Sequence, residues 1–416
     1  MLTQTNIAPV VPTPKHAEQR LGRRLRVAYL TMNDSHDRTA WSGSQFYMAQ
    51  ALEKHFDVLR VGPLRPFSMT TGKVLARGVR LLTGRKYMYM YTTSFSRTLG
   101  KMVEKRTNGE NYDVVFAPAG SGILAHLHTN APIVYLSDTT FHLMAGYNKD
   151  FSNAIPSHAR MADEIERLAI TKASQLIYPS SWAAQSAIKD YGADAARVHV
   201  VPFGANLDTA PSREQALAHP KLDRCRLLLV GVNWTQKGGD IAFEALLELE
   251  RLGIPAELAV VGCRPPQGIH HPNLKVLGFL DKNKPEERDR LNQLYREATF
   301  AILPTRAECF SIALCEANAH GLPIVSTHTG GLPELVREGV NGFLFPSEAR
   351  GTQYAKRIRD VFQNPEMYQA LRASSRGEFE TRLNWDAWAD RVGDVFRTSV
   401  AESTTQRTQS DLSCNN

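Results

Sequence analysis

Short apolar runs, each followed by a turn and an amphipathic stretch, recur along the chain. Leu25–Leu30 reads as a buried strand. The loop Thr31–Ser44 follows, then a helix from about Gln45 to His55 with Phe46, Ala49 and Leu52 at helical spacing. Asp57–Val61, Asp113–Ala117, Ile133–Leu136, Gln175–Tyr178 and Val198–Val201 read as further strands, with helices over Arg160–Ala173 and Trp182–Asp190. Strands alternating with helices imply parallel βαβ units. A connector rich in turn formers, Pro202–Asp208 and Ala210–Ser212, interrupts this rhythm. It then restarts with strands at Arg226–Gly231, Ala256–Gly262, Leu274–Leu277, Phe300–Leu303, Pro323–Ser326 and Gly342–Phe345, and a helix over Asp240–Leu252. The pattern predicts an α/β chain of two doubly wound, Rossmann-like domains, with the ligand site in the cleft that the two halves face. The expected divisions are a disordered tail over 1–22, a first domain over 23–205 and a second over 206–384. A helix over 385–398, with Trp385, Trp388, Val392 and Val395 on one stripe, is expected to pack back on the first domain. A flexible polar tail is expected over 399–416.

Composition narrows the class. The 416 residues suit two or three domains, and 43% apolar with 22% charged residues is ordinary for a globular protein. No apolar run approaches the roughly 20 residues that span a bilayer, and residues 1–20 lack the apolar core of a secretory signal. The five cysteines form no CxxC pair, so no disulfide framework or zinc site is suggested and a cytoplasmic setting is expected. The net charge of +7 is concentrated. Residues 60–110 hold eleven Lys or Arg against Glu104 and Glu110, which is +9 and leaves −2 for the remainder. That window suits an anionic acceptor or peripheral contact with the inner face of an anionic membrane. No helix-turn-helix, zinc-finger or RNP pattern accompanies it, which weighs against nucleic acid. Tyr87, Tyr89 and Tyr91, interleaved with Met88 and Met90, read as a half-buried strand face or a packed helix that could hold a sugar or a lipid headgroup.

Five segments carry candidate chemistry. In Leu303–Gly321 a strand ends near Pro304 and a mostly apolar helix begins near Ser311. The free N–H groups around Phe310, Ser311 and Ile312 make an anion site, since a helix start carries about half a positive charge. Glu308 precedes that helix and Glu316 lies in its second turn. Carboxylates beside an anion site suit hydroxyl groups as partners, and a buried Glu316 needs partners of its own. In Val230–Asp240 a Gly-bearing loop carries Lys237 to the start of a helix capped by Asp240, where an amine can neutralise phosphate; the spacing is not that of a P-loop. In Ser326–Glu334 the pair Gly330 and Gly331 allows close backbone approach before a helix start. Gly43, in Trp41–Ser44, precedes the first helix, and Asp138 sits at the carboxyl end of a strand with His142 beyond it.

Together, Glu308-x7-Glu316, Lys237 in its Gly-x5-Lys-Gly loop, Thr329–Glu334 and Asn341-Gly-Phe-Leu resemble the family-four retaining glycosyltransferases of the GT-B fold. The likeness is strongest over Arg226–Phe345 and extends more weakly through Gly43 and Pro202–Asp208. The resemblance implies transfer of a sugar from a nucleotide-diphosphate donor to a glycan, lipid-linked or small-molecule hydroxyl, with retention and with neither metal nor cofactor. It implies that Lys237 and the N–H groups of Phe310, Ser311 and Ile312 meet the diphosphate, that Glu316 holds the ribose and that Glu308 holds the transferred sugar. Gly43 would let the first domain close on the diphosphate, and Asp138 would stand beside the anomeric centre as a catalytic residue. The family commonly has Arg directly after the first glycine of the loop; here that position is Val232, and Arg306 is the candidate to supply the missing charge. Two other readings stand beside this one, a nucleotide-sugar epimerase and a non-catalytic nucleotide-sugar or polyanion binder.

Overall fold

The computed structural model describes residues 23–149, 151–218 and 222–414; the tail expected over 1–22 lies outside the described residues. By contact the chain forms two units. One takes the residues up to Ala40, Gln45–Val201 and the chain from Ala389 on; the other takes Trp41–Ser44 and Pro202–Trp388.

The first unit is a six-stranded parallel sheet, β1 (Arg26–Leu30), β2 (Asp57–Val61), β3 (Val114–Pro118), β4 (Ile133–Leu136), β5 (Gln175–Tyr178) and β6 (Val198–Val200), in the order β2-β1-β3-β4-β5-β6. The second repeats the plan with β7 (Cys225–Gly231), β8 (Ala256–Gly262), β9 (Leu274–Gly278), β10 (Phe300–Leu303), β11 (Ile324–Thr327) and β12 (Gly342–Phe345), in the order β12-β11-β10-β7-β8-β9. β3, β4, β5, β10 and β11 are buried along their whole length. Burial on both faces is why these segments read as continuous apolar runs rather than alternating ones.

The helices of eight or more residues are α1 (Ser44–Glu53), α2 (Ser68–Thr83), α3 (Thr93–Arg106), α4 (Pro156–Lys172), α5 (Ser181–Lys189), α6 (Gly239–Arg251), α7 (Pro285–Glu297), α8 (Ile312–Ala319), α9 (Gly351–Phe362), α10 (Pro365–Thr381) and α11 (Trp385–Cys414). Several differ from the sequence pattern. Tyr89–Tyr91 is one 3₁₀ turn, neither a strand nor a regular helix. α6 is capped by Gly238 in the left-handed region, and Asp240 sits inside its first turn. α11 continues to Cys414, through the segment read as a polar tail. Its Phe396 packs on Phe116 and Phe56, with centroids 5.2 and 5.5 Å apart, within the first unit; Trp385 and Trp388 belong to the second.

Each sheet reverses winding direction once, between β1 and β3 and between β7 and β10. Loops that leave neighbouring strands toward opposite sides open a crevice at such a point, and ligands of doubly wound sheets bind there.

Candidate functional site

The loops after β7 and β10 leave the switch point of the second unit side by side. They touch because glycine lets them: Gly238 has φ 72, and a Cβ there would lie 1.9 Å from the Pro304 carbonyl oxygen. A Cβ on Gly231 would lie 2.6 Å from Cγ of Lys237, so the bare strand end is what lets the lysine stem lie across it. The two loops are then bonded together. Thr305 shares its buried hydroxyl proton between the carbonyls of Gln236 (3.0 Å) and Ala307 (3.1 Å). The Arg306 N–H donates to Gln236 O at 2.8 Å, and Gln236 Nε2 donates to Ala307 O at 3.2 Å.

This frame sets the Lys237 ammonium 2.5 Å from Glu308 Oε2, with both side chains largely covered. The loop after β11 joins them, since Gly331 N–H donates to Glu308 O at 3.2 Å and Gly330 takes φ 52. α8 starts just beyond. Its N-cap residue is Ser311, three positions beyond Glu308, and the Glu308 carboxylate pairs with Lys237. The opening N–H groups of α8 have no intrahelical acceptor, as at any helix start.

One turn further, Glu316 is buried with a side chain only 2% exposed. Its needs are met by Lys282, whose ammonium bonds Oε1, and by Tyr295, whose hydroxyl donates to Oε2 at 3.0 Å. Burial and the neighbouring negative charge hold the Tyr295 phenol well above its ordinary pKa, which keeps it a neutral donor. His320, stacked on Tyr295 with centroids 5.2 Å apart, is pushed down to about 4 by burial and is a neutral imidazole beside the Glu316 carbonyl.

Trp41–Ser44 also belongs to this unit. Trp41, Ser42 and Gly43 take φ 48, 57 and 87 in succession, a run that only Gly adopts freely. It is held from outside. Asn206 Nδ2 donates to Ser42 O at 2.7 Å, and Trp385 Nε1 orients Asn206 through a 2.9 Å bond to Oδ1. Trp41 packs edge-on to Phe203, and Phe203 packs edge-on to Phe310. The unit thus brings Gly43, Lys237, Glu308, Phe310 and Gly330 onto one connected set of loops at a switch point, with two lysine–carboxylate pairs in it.

Two family models match the chain, "Glycosyltransferase Family 4" over residues 12–209 and "Glycosyl transferases group 1" over residues 224–364. A D-inositol 3-phosphate glycosyltransferase of Xylanimonas cellulosilytica is 30% identical over 313 residues, covering 68% of this chain and 72% of that protein. The chain belongs to the family-four, group 1 glycosyltransferases. Sucrose-phosphate synthase from Thermosynechococcus elongatus shares the fold, with a TM-score of 0.65 and 16% identity over 91% of this chain and 100% of that one. Anabaena HepE in complex with UDP does so with a TM-score of 0.58 and 17% identity over 90% and 100%. The GT-B fold and glycosyltransferase activity follow.

In this glycosyltransferase Arg306, the residue weighed against Val232, is bound bidentately by Asp240 at 2.7 and 2.9 Å, while Val232 is exposed. Asp138 lies in the first unit after β4. The cap of the next turn is Thr140, whose hydroxyl accepts from Leu143 N–H, so Asp138 is not a cap. His142 is exposed, with Nε2 3.9 Å from Asp190. Near Asp138 stands a group that sequence reasoning missed. Glu166, on α4, is buried and accepts from the Tyr135 hydroxyl at 2.9 Å; desolvation pushes its carboxyl up to about 7. Lys282 and Tyr295 were missed too. The only pointer to them in the sequence is the demand that a buried Glu316 makes for a cation. Among the described residues no group of three or more His, Cys, Asp or Glu is placed to hold a metal, and no helix is long and apolar enough to cross a membrane.

Proposed function

We propose that this glycosyltransferase takes its sugar from a nucleoside-diphosphate donor and transfers it to an acceptor hydroxyl with retention at the anomeric carbon, without a metal ion. The observation that carries this reading is the Lys237–Glu308 pair, held at a switch point by two glycines that exist to admit it. Each member of the pair neutralises the other until a ligand offers something better. A diphosphate offers the ammonium a second anion, and a sugar hydroxyl offers the carboxylate a donor. Lys237 and the N–H groups of Phe310, Ser311 and Ile312 then stabilise charge growing on the leaving diphosphate, the step where preorganised donors contribute most. Glu316, already fixed by Lys282 and Tyr295, accepts from ribose hydroxyls, and Glu308 accepts from the transferred sugar. Gly43, Gly330 and Gly331 allow close backbone approach, Arg306 supports its loop through the pair with Asp240, and Asp138 is the proposed catalytic residue of the first unit.

The relatives suggest the first probes: UDP, bound by Anabaena HepE, and an inositol phosphate acceptor, from the name of the Xylanimonas protein. Thermal shift against nucleoside diphosphates tests the donor site, because stabilisation follows RT ln(1 + [L]/Kd). A diphosphate should raise Tm, and Lys237→Ala should abolish most of the rise. An undiminished rise in that variant would put the diphosphate elsewhere. The anomeric configuration of the glycoside formed, read by NMR and compared with that of the donor, tests retention.

A further inference from the structure

We propose that α2 is an interfacial helix that seats the first unit on an anionic lipid surface, with Phe67, Leu81 and Leu82 entering the headgroup layer. The basic window 60–110 holds nine cations and no acid before Glu104, and the structure shows which part of it is unpartnered by the core. α2 packs inward through small or slender residues only: Met69, Gly72, Ala76 and Val79, spaced three and four apart. Gly72 lies against the Tyr89 ring so closely that a Cβ would come within 2.4 Å of it.

The opposite side is apolar where a globular helix is polar. Phe67, Val74, Leu75, Leu81 and Leu82 are between 51% and 89% exposed, and they are five of the seven large hydrophobic side chains so exposed among the described residues. Phe67, Val74 and Leu81 are seven apart, and so are Leu75 and Leu82. Seven residues are about two turns, so both rows run along one side of the helix. Lys73, Arg77 and Arg80 flank those rows, all exposed. A cavity of about 420 Å³ between α2 and the next segment is lined by Arg77, Arg80, Lys86, Tyr87, Tyr91 and Phe151. An apolar stripe bordered by cations is the composition of a helix lying in a membrane interface. Charge complementarity selects the occupant. A second copy of this helix would set cation against cation, whereas phosphodiester headgroups answer the basic row while the acyl boundary takes the apolar one.

The proposal does not depend on the transfer chemistry. Its test is co-sedimentation of the full chain with vesicles of phosphatidylcholine alone or mixed with about one third phosphatidylglycerol. Binding should require phosphatidylglycerol and weaken as salt rises. Each basic side chain near an anionic surface contributes about fivefold, so the triple variant Lys73→Glu, Arg77→Glu, Arg80→Glu should lose on the order of a hundredfold. The variant Phe67→Ser, Leu81→Ser, Leu82→Ser should lose about tenfold or more while melting like the parent, because these side chains support no core. Equal binding to neutral vesicles, no binding to either, or undiminished binding by a normally melting serine variant would overturn the proposal. So would a dimer in gel filtration that the serine variant turns into a monomer, since the face would then belong to a second copy.

Discussion

Glu166 in the first unit and Glu316 in the second are both buried helical glutamates in doubly wound units, yet they are satisfied in opposite ways. Glu166 has a tyrosine hydroxyl for a partner, and burial, with the negative Asp163 and Asp138 adding to it, pushes its carboxyl up to about 7. Glu316 has a tyrosine hydroxyl as well, and in addition the Lys282 ammonium. One unit buries a carboxyl by allowing it a proton; the other buries a carboxylate by supplying a cation. The second arrangement sets a carboxylate beside an ammonium, where a ligand can bring hydroxyl donors. The contrast teaches that burial alone does not mark a polar site. The kind of partner does.

The sharpest way to break the contrast is to remove the cation. Lys282→Met should leave Glu316 buried beside Tyr295 alone and destabilise the protein by about 3–5 kcal/mol, the cost of an orphaned buried charge. Glu316→Gln in the same chain should restore most of that loss, because Tyr295 can still donate to the amide oxygen. Urea denaturation reads both. A loss below about 1 kcal/mol in the single variant would mean that the pair is solvated and that the two glutamates do not differ as argued.

Glu166 should respond with the opposite sign. Its folded pKa of about 7 lies above the usual 4.5, so between these values the folded state holds the proton more tightly than the unfolded chain. The resulting stability is present in full below about pH 4.5 and is lost as pH rises through about 7, by up to about 3 kcal/mol. Glu166→Gln keeps the Tyr135 hydrogen bond, removes that slope and should be more stable than the parent at pH 8. Parallel stability–pH curves for the two proteins would show that Glu166 does not titrate with folding.

How much of this was legible in the sequence depends on whether the signal is local. The strands of both sheets and the glycines at positions 231, 238, 330 and 331 were readable, because burial on both faces and tight turns leave marks on adjacent residues. Glu308, Lys237 and Glu316 stood out by spacing. Lys282 did not, since nothing local distinguishes it from Lys284 two residues on; only the fold, which brings it across 34 positions to Glu316, gives it a role. α2 escaped for a different reason. Its packing face is made of Met69, Gly72, Ala76 and Val79, mostly too small to print an amphipathic stripe, while Val74, Leu75, Leu81 and Leu82 are exposed. The Asp240 cap was misplaced because Gly238, in the left-handed region, ends the loop two residues earlier than an acidic cap would.

The smallest expected effect separates ionic from neutral contributions within the second unit. Thr305 is buried, and its one hydroxyl bonds both loops that carry the Lys237–Glu308 pair. Thr305→Val keeps the shape and deletes the hydroxyl. Neither carbonyl is orphaned by the change, because Gln236 O retains the Arg306 N–H and Ala307 O retains Gln236 Nε2. The loss should therefore stay near that of one neutral hydrogen bond, about 1 kcal/mol, rather than the larger cost of an unsatisfied buried group. If the hydroxyl also fixes the distance between the loops, the thermal shift produced by a nucleoside diphosphate should fall by more than this stability change explains. A variant of parental stability with an undiminished shift would mean that the glycines and the Arg306 N–H bond alone set the spacing of the charged pair.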